Sequence, residues 1–184
     1  MITVHRFKPL STLHFTSAFA LAVFALGTTA SDIATARDRR VVDVAEVGNA
    51  RSEAAHGYAD YDAISGTMDG RPHRQARGWM HFSLKTFEDT DVTVSCTFAG
   101  IDTVSRSYDI VVEDSVIATR TLKTQTSVPT VVDVAVPFSL TKGKTNIVVV
   151  IRARGGLTPA LRELRTIQDH YEVDLSQNPH GVTR

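Results

Sequence analysis

The sequence predicts an all-β chain, an antiparallel β-sandwich of eight or nine strands, on three observations. From residue 41 onward apolar and polar side chains alternate with period two, the mark of strands with one buried face. The alternating runs are short and evenly spaced, and turn residues join them. Few segments carry a helical period, and no internal repeat or low-complexity linker divides the chain.

Taken in order, 41–47 reads as the first strand. The polar, glycine-containing stretch 52–78 reads as long loops around a short strand at 64–68. Strands follow at 79–86, 91–98, 107–113, 116–123, 130–138 and 145–153, with a closing segment at 161–168. The carboxylates of "EDTD" (88–91) and "EDS" (113–115) suit tight reversals, because such side chains bond their own backbone. In "TKGK" (141–144), Gly143 stands where a positive φ costs little. "RGGLTP" (154–159) ends a strand, since paired glycines and a proline do not suit a ladder.

The 184 residues suit one domain with short appendages, and 42% hydrophobic content supports a proper core. Twenty basic and twenty acidic side chains are spread without long like-charge blocks, which leaves no nucleic-acid stripe and no polybasic membrane patch. At the amino terminus His5, Arg6 and Lys8 precede the apolar run "FTSAFALAVFALG" (15–27). A run of that length reads as an export signal, since a bilayer span needs about 20 apolar residues. Cleavage is expected after Ala30 or Ala36, the second matching the A-x-A form better. The expected organisation is a signal peptide at 1–36, the sandwich at 37–170 and a polar C-terminal tail at 171–184. The mature protein is then expected in a periplasm or outside the cell, with no membrane association of its own.

The only tryptophan and the only cysteine lie close together in "WMHFSLKTFEDTDVTVSCTF" (79–98). In the second strand of this stretch Cys96 shares a face with Val92, Val94 and Phe98, so it points into the core. A buried thiol without a disulfide partner is a small hydrophobe, not a nucleophile. In the first strand Met80, Phe82 and Leu84 suit the core, which turns Trp79 and His81 outward. An outward tryptophan can stack on the C–H face of a sugar while polar neighbours bond its hydroxyls. The residues nominated for such a carbohydrate site are Trp79, His81, His56, Tyr58 and Arg77. The competing reading has Trp79 covering a sheet edge or packing beneath the 52–78 segment.

No catalytic constellation is legible: G-x-S-x-G, P-loop and dinucleotide fingerprints are absent, and no spacing pairs two carboxylates for glycoside hydrolysis. His56, His73, His81 and His170 lack metal-ligand spacing. No cofactor is expected beyond a structural calcium, which Glu53 and Asp169 would hold if they met at one rim of the sandwich.

Six segments carry a resemblance: "SEAAHG" (52–57), "GWMHFSLK" (78–85), "VTVSCTFAG" (92–100), "YDIVVEDSVIATRTL" (108–122), "VVDVAVPFSLTKGKTNIVVVIRA" (131–153) and "TPALRELRTIQDH" (158–170). In this order they resemble the carboxyl-terminal β-sandwich, listed as a domain of unknown function, of β-L-arabinofuranosidase-type glycoside hydrolases of families 127 and 146. The resemblance covers nearly the whole mature chain. It implies a jelly-roll-like sandwich, as in many carbohydrate-binding modules, serving plant-polysaccharide breakdown. It also implies no catalysis: in those enzymes the zinc-bound cysteine and its glutamate partners belong to a separate helical barrel, which this chain lacks. Where that family has Asp and Gly at the central hairpin, this chain has Asp114 and Ser115.

The expected function is that of a non-catalytic accessory module, not an enzyme, partnered by arabinose-containing polysaccharide. The alternative is a structural module that docks on a glycoside hydrolase or forms a homodimer, without binding sugar.

Overall fold

The computed structural model describes residues 38–100, 102–124 and 127–170. The expected export signal and the C-terminal tail lie outside the described residues. The described chain runs β1 (Asp38–Glu46), α1 (Ala50–Ala55), β2 (Ala59–Met68), β3 (Arg71–Lys85), β4 (Val92–Phe98), β5 (Asp102–Val112), β6 (Ser115–Thr124), β7 (Thr130–Val136), α2 (Phe138–Thr141), β8 (Asn146–Ala153) and β9 (Leu161–His170). This is the all-β antiparallel jelly-roll expected from the alternation. No helix among the described residues is long and apolar enough to cross a membrane.

The strands form two layers. One has the order β2-β3-β8-β5-β6 and the other β1-β9-β4-β7, and the single pair Arg74↔Leu161 joins β3 to β9 between them. Period two decides what each face carries. Met80, Phe82 and Leu84 pair with Ile151, Val149 and Ile147, and all six are fully buried. From the other layer Val92, Val94, Cys96, Phe98 and Leu164 meet them. Phe98 and Tyr108 pack edge to face across the two layers, with ring centroids 5.1 Å apart. Burying a side chain of this size stabilises by about 1.5–3 kcal/mol, so this shared interior is what holds the layers together.

The 52–78 stretch departs from the expectation of long loops. Its first residues belong to α1, where the Asn49 side chain accepts hydrogen bonds from the Arg51 and Ser52 N–H groups and so caps the helix. The remainder is a long hairpin of β2 and the first half of β3, reversing at Asp69 and Gly70, both at positive φ. Arg74 fixes the two parts to each other. Its Nε and Nη2 donate to the two Glu53 oxygens at 2.6 and 2.7 Å, its Nη1 donates to Ser65 at 2.7 Å, and its guanidinium lies 4.8 Å from the Tyr58 ring centroid.

The turns follow the expected chemistry with one shift of register. Gly143, Gly155 and Gly156 all have positive φ. At the β5–β6 hairpin the left-handed residues are Glu113 and Asp114, while Ser115 already pairs with Val112. Glu113 is kept in that conformation by its own side chain, which accepts from the Val148 N–H at 2.7 Å and from Lys144 Nζ.

Candidate functional site

On the outer face of the five-stranded layer, strand pairing sets Trp79, Arg152, Asp109 and Thr119 in one row across four strands. Two residues along, the next row is His81, Val150, Val111 and Val116. Between these rows lies a shallow depression of about 280 Å³, lined by Trp79, His81, Val111, Asp114, Val150 and Arg152. Val111 and Val150 make an apolar floor, Trp79 (36% exposed) stands on one side, and Asp114 closes the hairpin end.

The polar groups around the floor are oriented. His81 Nδ1 lies 3.2 Å from the Gly57 carbonyl and donates to it, which fixes the ring and leaves Nε2 without a partner among the described residues. Arg152 is fixed by Asp109, which is only 2% exposed although it belongs to the outer face. The Asp109 carboxylate accepts from Arg152 at 2.9 Å, from Arg154 at 3.1 Å and from the Thr119 hydroxyl at 2.7 Å. Burial raises the Asp109 carboxyl, but these three donors outweigh burial and hold it below the ordinary carboxylate range. Arg152 remains half exposed, with donors left over for a ligand.

A floor of valines and indole beside a guanidinium, an imidazole and a carboxylate is the chemistry of a sugar-sized site. Its volume falls just short of the range of small-molecule pockets, which begins near about 300 Å³. The depression offers one carboxylate, Asp114, because Asp109 is buried beneath its three donors and does not line it. The paired carboxylates of glycoside hydrolysis are therefore not assembled there.

Of the five residues nominated from sequence, the structure brings Trp79 and His81 together in the depression and leaves three outside it. His56 is buried at the end of α1, with Nδ1 2.6 Å from the Ser52 carbonyl and Nε2 3.3 Å from Asp43. Tyr58 packs its ring on Phe82, with centroids 5.1 Å apart, under Arg74. Arg77 is exposed and lies 3.6 Å from Asp62, beside the irregularity between Tyr61 and Ala63. The segment does lie beside Trp79 and His81, through the Tyr61↔Trp79 and Ala59↔His81 pairs, but the His56 and Tyr58 side chains turn inward and Arg77 is drawn to Asp62 at the irregularity. Arg152, Val150, Val111 and Asp114 were not nominated. The outward parity of Val150 and Arg152 was readable from 145–153, but their place beside Trp79 depends on strand order.

Glu53 and Asp169 do not meet. Asp169 pairs with Arg39 at one end of β1, and α1, which carries Glu53, follows the other end at Glu46, roughly 20 Å away at the rise of a strand. Both Glu53 oxygens are already engaged, by Arg74 and the Gly48 N–H. No group of three or more His, Cys, Asp or Glu side chains able to hold a metal ion occurs among the described residues. Cys96 is fully buried, and burial, with the Asp133 charge, pushes its thiol far above the ordinary range.

Solved structures with a similar fold include carbohydrate-binding modules. The chain is similar to a family 35 carbohydrate binding module from Clostridium thermocellum, at 11% identity and a TM-score of 0.51, covering 70% of this chain and 96% of that one. It is similar to a family 35 module from an environmental isolate at 19% identity and a TM-score of 0.52, covering 70% and 98%. The ANX1 ectodomain of Arabidopsis thaliana matches at 7% identity and a TM-score of 0.52, covering 72% of this chain and 49% of that one. At such identities the likeness is one of fold. The search of curated proteins returned no match. A family model matches residues 36–167, nearly the whole of the described chain, and by it the chain belongs to DUF6805, a family of unknown function.

Proposed function

We propose that this chain is a non-catalytic, exported carbohydrate-binding module that recognises arabinose-containing plant polysaccharide beside a glycoside hydrolase. The observation that carries the reading is the depression itself: Trp79 and a valine floor for the apolar face of a sugar, with Arg152, His81 and Asp114 for its hydroxyls. The fold likeness to modules named for carbohydrate binding supports the class of ligand. The six segments that resemble the arabinofuranosidase-linked sandwich supply the choice of arabinose. The basic start and apolar run at 5–27 support export to a periplasm or beyond.

The test is a fluorescence titration of Trp79 with arabinan, xylan and mannan, in wild type and in Trp79→Ala and Trp79→Phe. Arabinan is expected to give a saturable change, and calorimetry is expected to show affinity lost in the alanine variant and largely kept in phenylalanine. No response to any glycan, together with concentration-dependent dimers in light scattering, would overturn the reading in favour of the docking alternative.

A further inference from the structure

The second layer carries a hollow on its own outer face, away from the Trp79 depression, of about 240 Å³. It begins with a β-bulge. Phe98 pairs with Leu161 and Thr97 with Glu163, so Arg162 is an extra residue on β9. The bulge lets Leu161 and Leu164 both reach the core while Arg162 and Glu163 both stay on the outer side.

Arg162 is 6% exposed, beneath the tip of the β2–β3 hairpin. Its Nη2 donates to the Met68 carbonyl and stands 3.5 Å from Asp69, and its Nε makes no hydrogen bond. A buried guanidinium with one distant counter-ion and an unused donor is incompletely compensated. Four more donor-bearing side chains line the same hollow. Arg71, on that hairpin, is exposed and makes no ion pair among the described residues. Ser95, 4% exposed, and Thr97 face outward from β4 without side-chain hydrogen bonds among the described residues, and Arg165, paired with Ser95, spends its Nε on Glu163 at 2.5 Å. Three guanidiniums thus stand with the carboxylates of Glu163, Asp69 and Asp133, the last paired with Ser95 from β7, so the charges balance and the unused donors of Arg71, Arg162, Ser95 and Thr97 are what the hollow offers. Glu46 lines the adjoining hollow and not this one.

We propose that this hollow is an oxyanion site, taking a carboxylate or sulfate group on Arg71 and Arg165, with the Ser95 and Thr97 hydroxyls donating and the buried charge of Arg162 behind them. Forked guanidinium donors beside hydroxyls match the geometry of such groups. The site is independent of the sugar-binding reading, since it shares no residue with the Trp79 depression.

The experiment is an amide-resolved NMR titration of the full chain with sodium sulfate and, separately, sodium acetate, each against sodium chloride at matched ionic strength. Saturable shifts at Ser95, Thr97 and residues 162–165 are expected with sulfate or acetate and not with chloride, and the tighter arm identifies a tetrahedral or a planar anion. Arg71→Gln changes only an exposed side chain and is expected to weaken binding about tenfold or more, the effect of one charged hydrogen bond. Trp79→Ala is expected to leave the shifts unchanged. Linear shifts that chloride reproduces, or an Arg71→Gln affinity equal to wild type, would overturn the proposal whatever the glycan titration gives.

Discussion

The Arg152 guanidinium on β8 reaches the Asp109 carboxylate on β5 at 2.9 Å, and Trp79 stands directly across the ladder from Arg152. A buried acid therefore holds a half-exposed guanidinium in the row that ends at the tryptophan. Asp109→Asn keeps the shape and removes the charge. Hydrogen bonds to charged groups contribute about 1.5–3 kcal/mol each, but Arg152 and Arg154 regain water once released, which leaves a net destabilisation of about 1–2 kcal/mol. Urea denaturation is expected to show that loss, and calorimetry with the bound glycan a weaker complex. Unchanged binding in a folded Asp109→Asn variant would remove Arg152 from the site.

Asp114 separates stability from binding. Its φ of 63° is a conformation in which glycine carries no side-chain penalty, so Asp114→Gly is expected to raise stability by about 0.5–1 kcal/mol. The same change takes the only unengaged carboxylate from the rim of the depression. A higher melting temperature with weaker glycan binding is the expected pair of results. A variant that gains on both counts would show that Asp114 does not contact sugar.

How much of this was legible in the sequence depends on whether the deciding contact is local. Met80, Phe82 and Leu84 fix the parity of β3, and that alone turns Trp79 and His81 outward. The same parity on β4 buries Cys96. The misreading of 52–78 has a physical cause. A helix of six residues is too short to show a period, and what orders the segment is an ion pair between Glu53 and Arg74, 21 residues apart. The Arg152 and Asp109 pair spans 43 residues across two strands that are neighbours only because of the sheet order. Alternation tells which way a side chain points; it does not tell which strand lies beside it.

Cys96 provides a test of the packing that needs no ligand. With its side chain fully buried, a thiol reagent is expected to label it only as fast as the molecule opens. Labelling in native buffer is therefore expected to be slow and to accelerate steeply through the urea transition. Rapid stoichiometric labelling of the native protein would contradict the core placement of β4.

Acid is expected to destabilise the fold in two stages. His73 is buried, and its burial and the Arg162 charge both hold the imidazole below its ordinary value of 6.5. As pH falls below 6.5 the unfolded chain takes a proton that the fold refuses, so stability declines with acidification. The second stage belongs to Asp43, Glu53, Asp109 and Glu113. Burial raises each of these carboxyls, yet hydrogen bonds from Lys85 N–H and His56, from Arg74 and Gly48 N–H, from Thr119 and two arginines, and from Lys144 and Val148 N–H hold them below the ordinary 3.8 or 4.5. Their contribution is complete above the unfolded values and is lost as pH falls through the lower folded ones. Urea midpoints measured from pH 7.5 down to 3 are expected to fall gently below pH 6.5 and steeply below about pH 4.5. His73→Gln is expected to flatten the first decline and keep the second. A midpoint that rises on going from pH 7 to 5.5 would mean that His73 gains a proton in the fold, which its burial against Arg162 opposes.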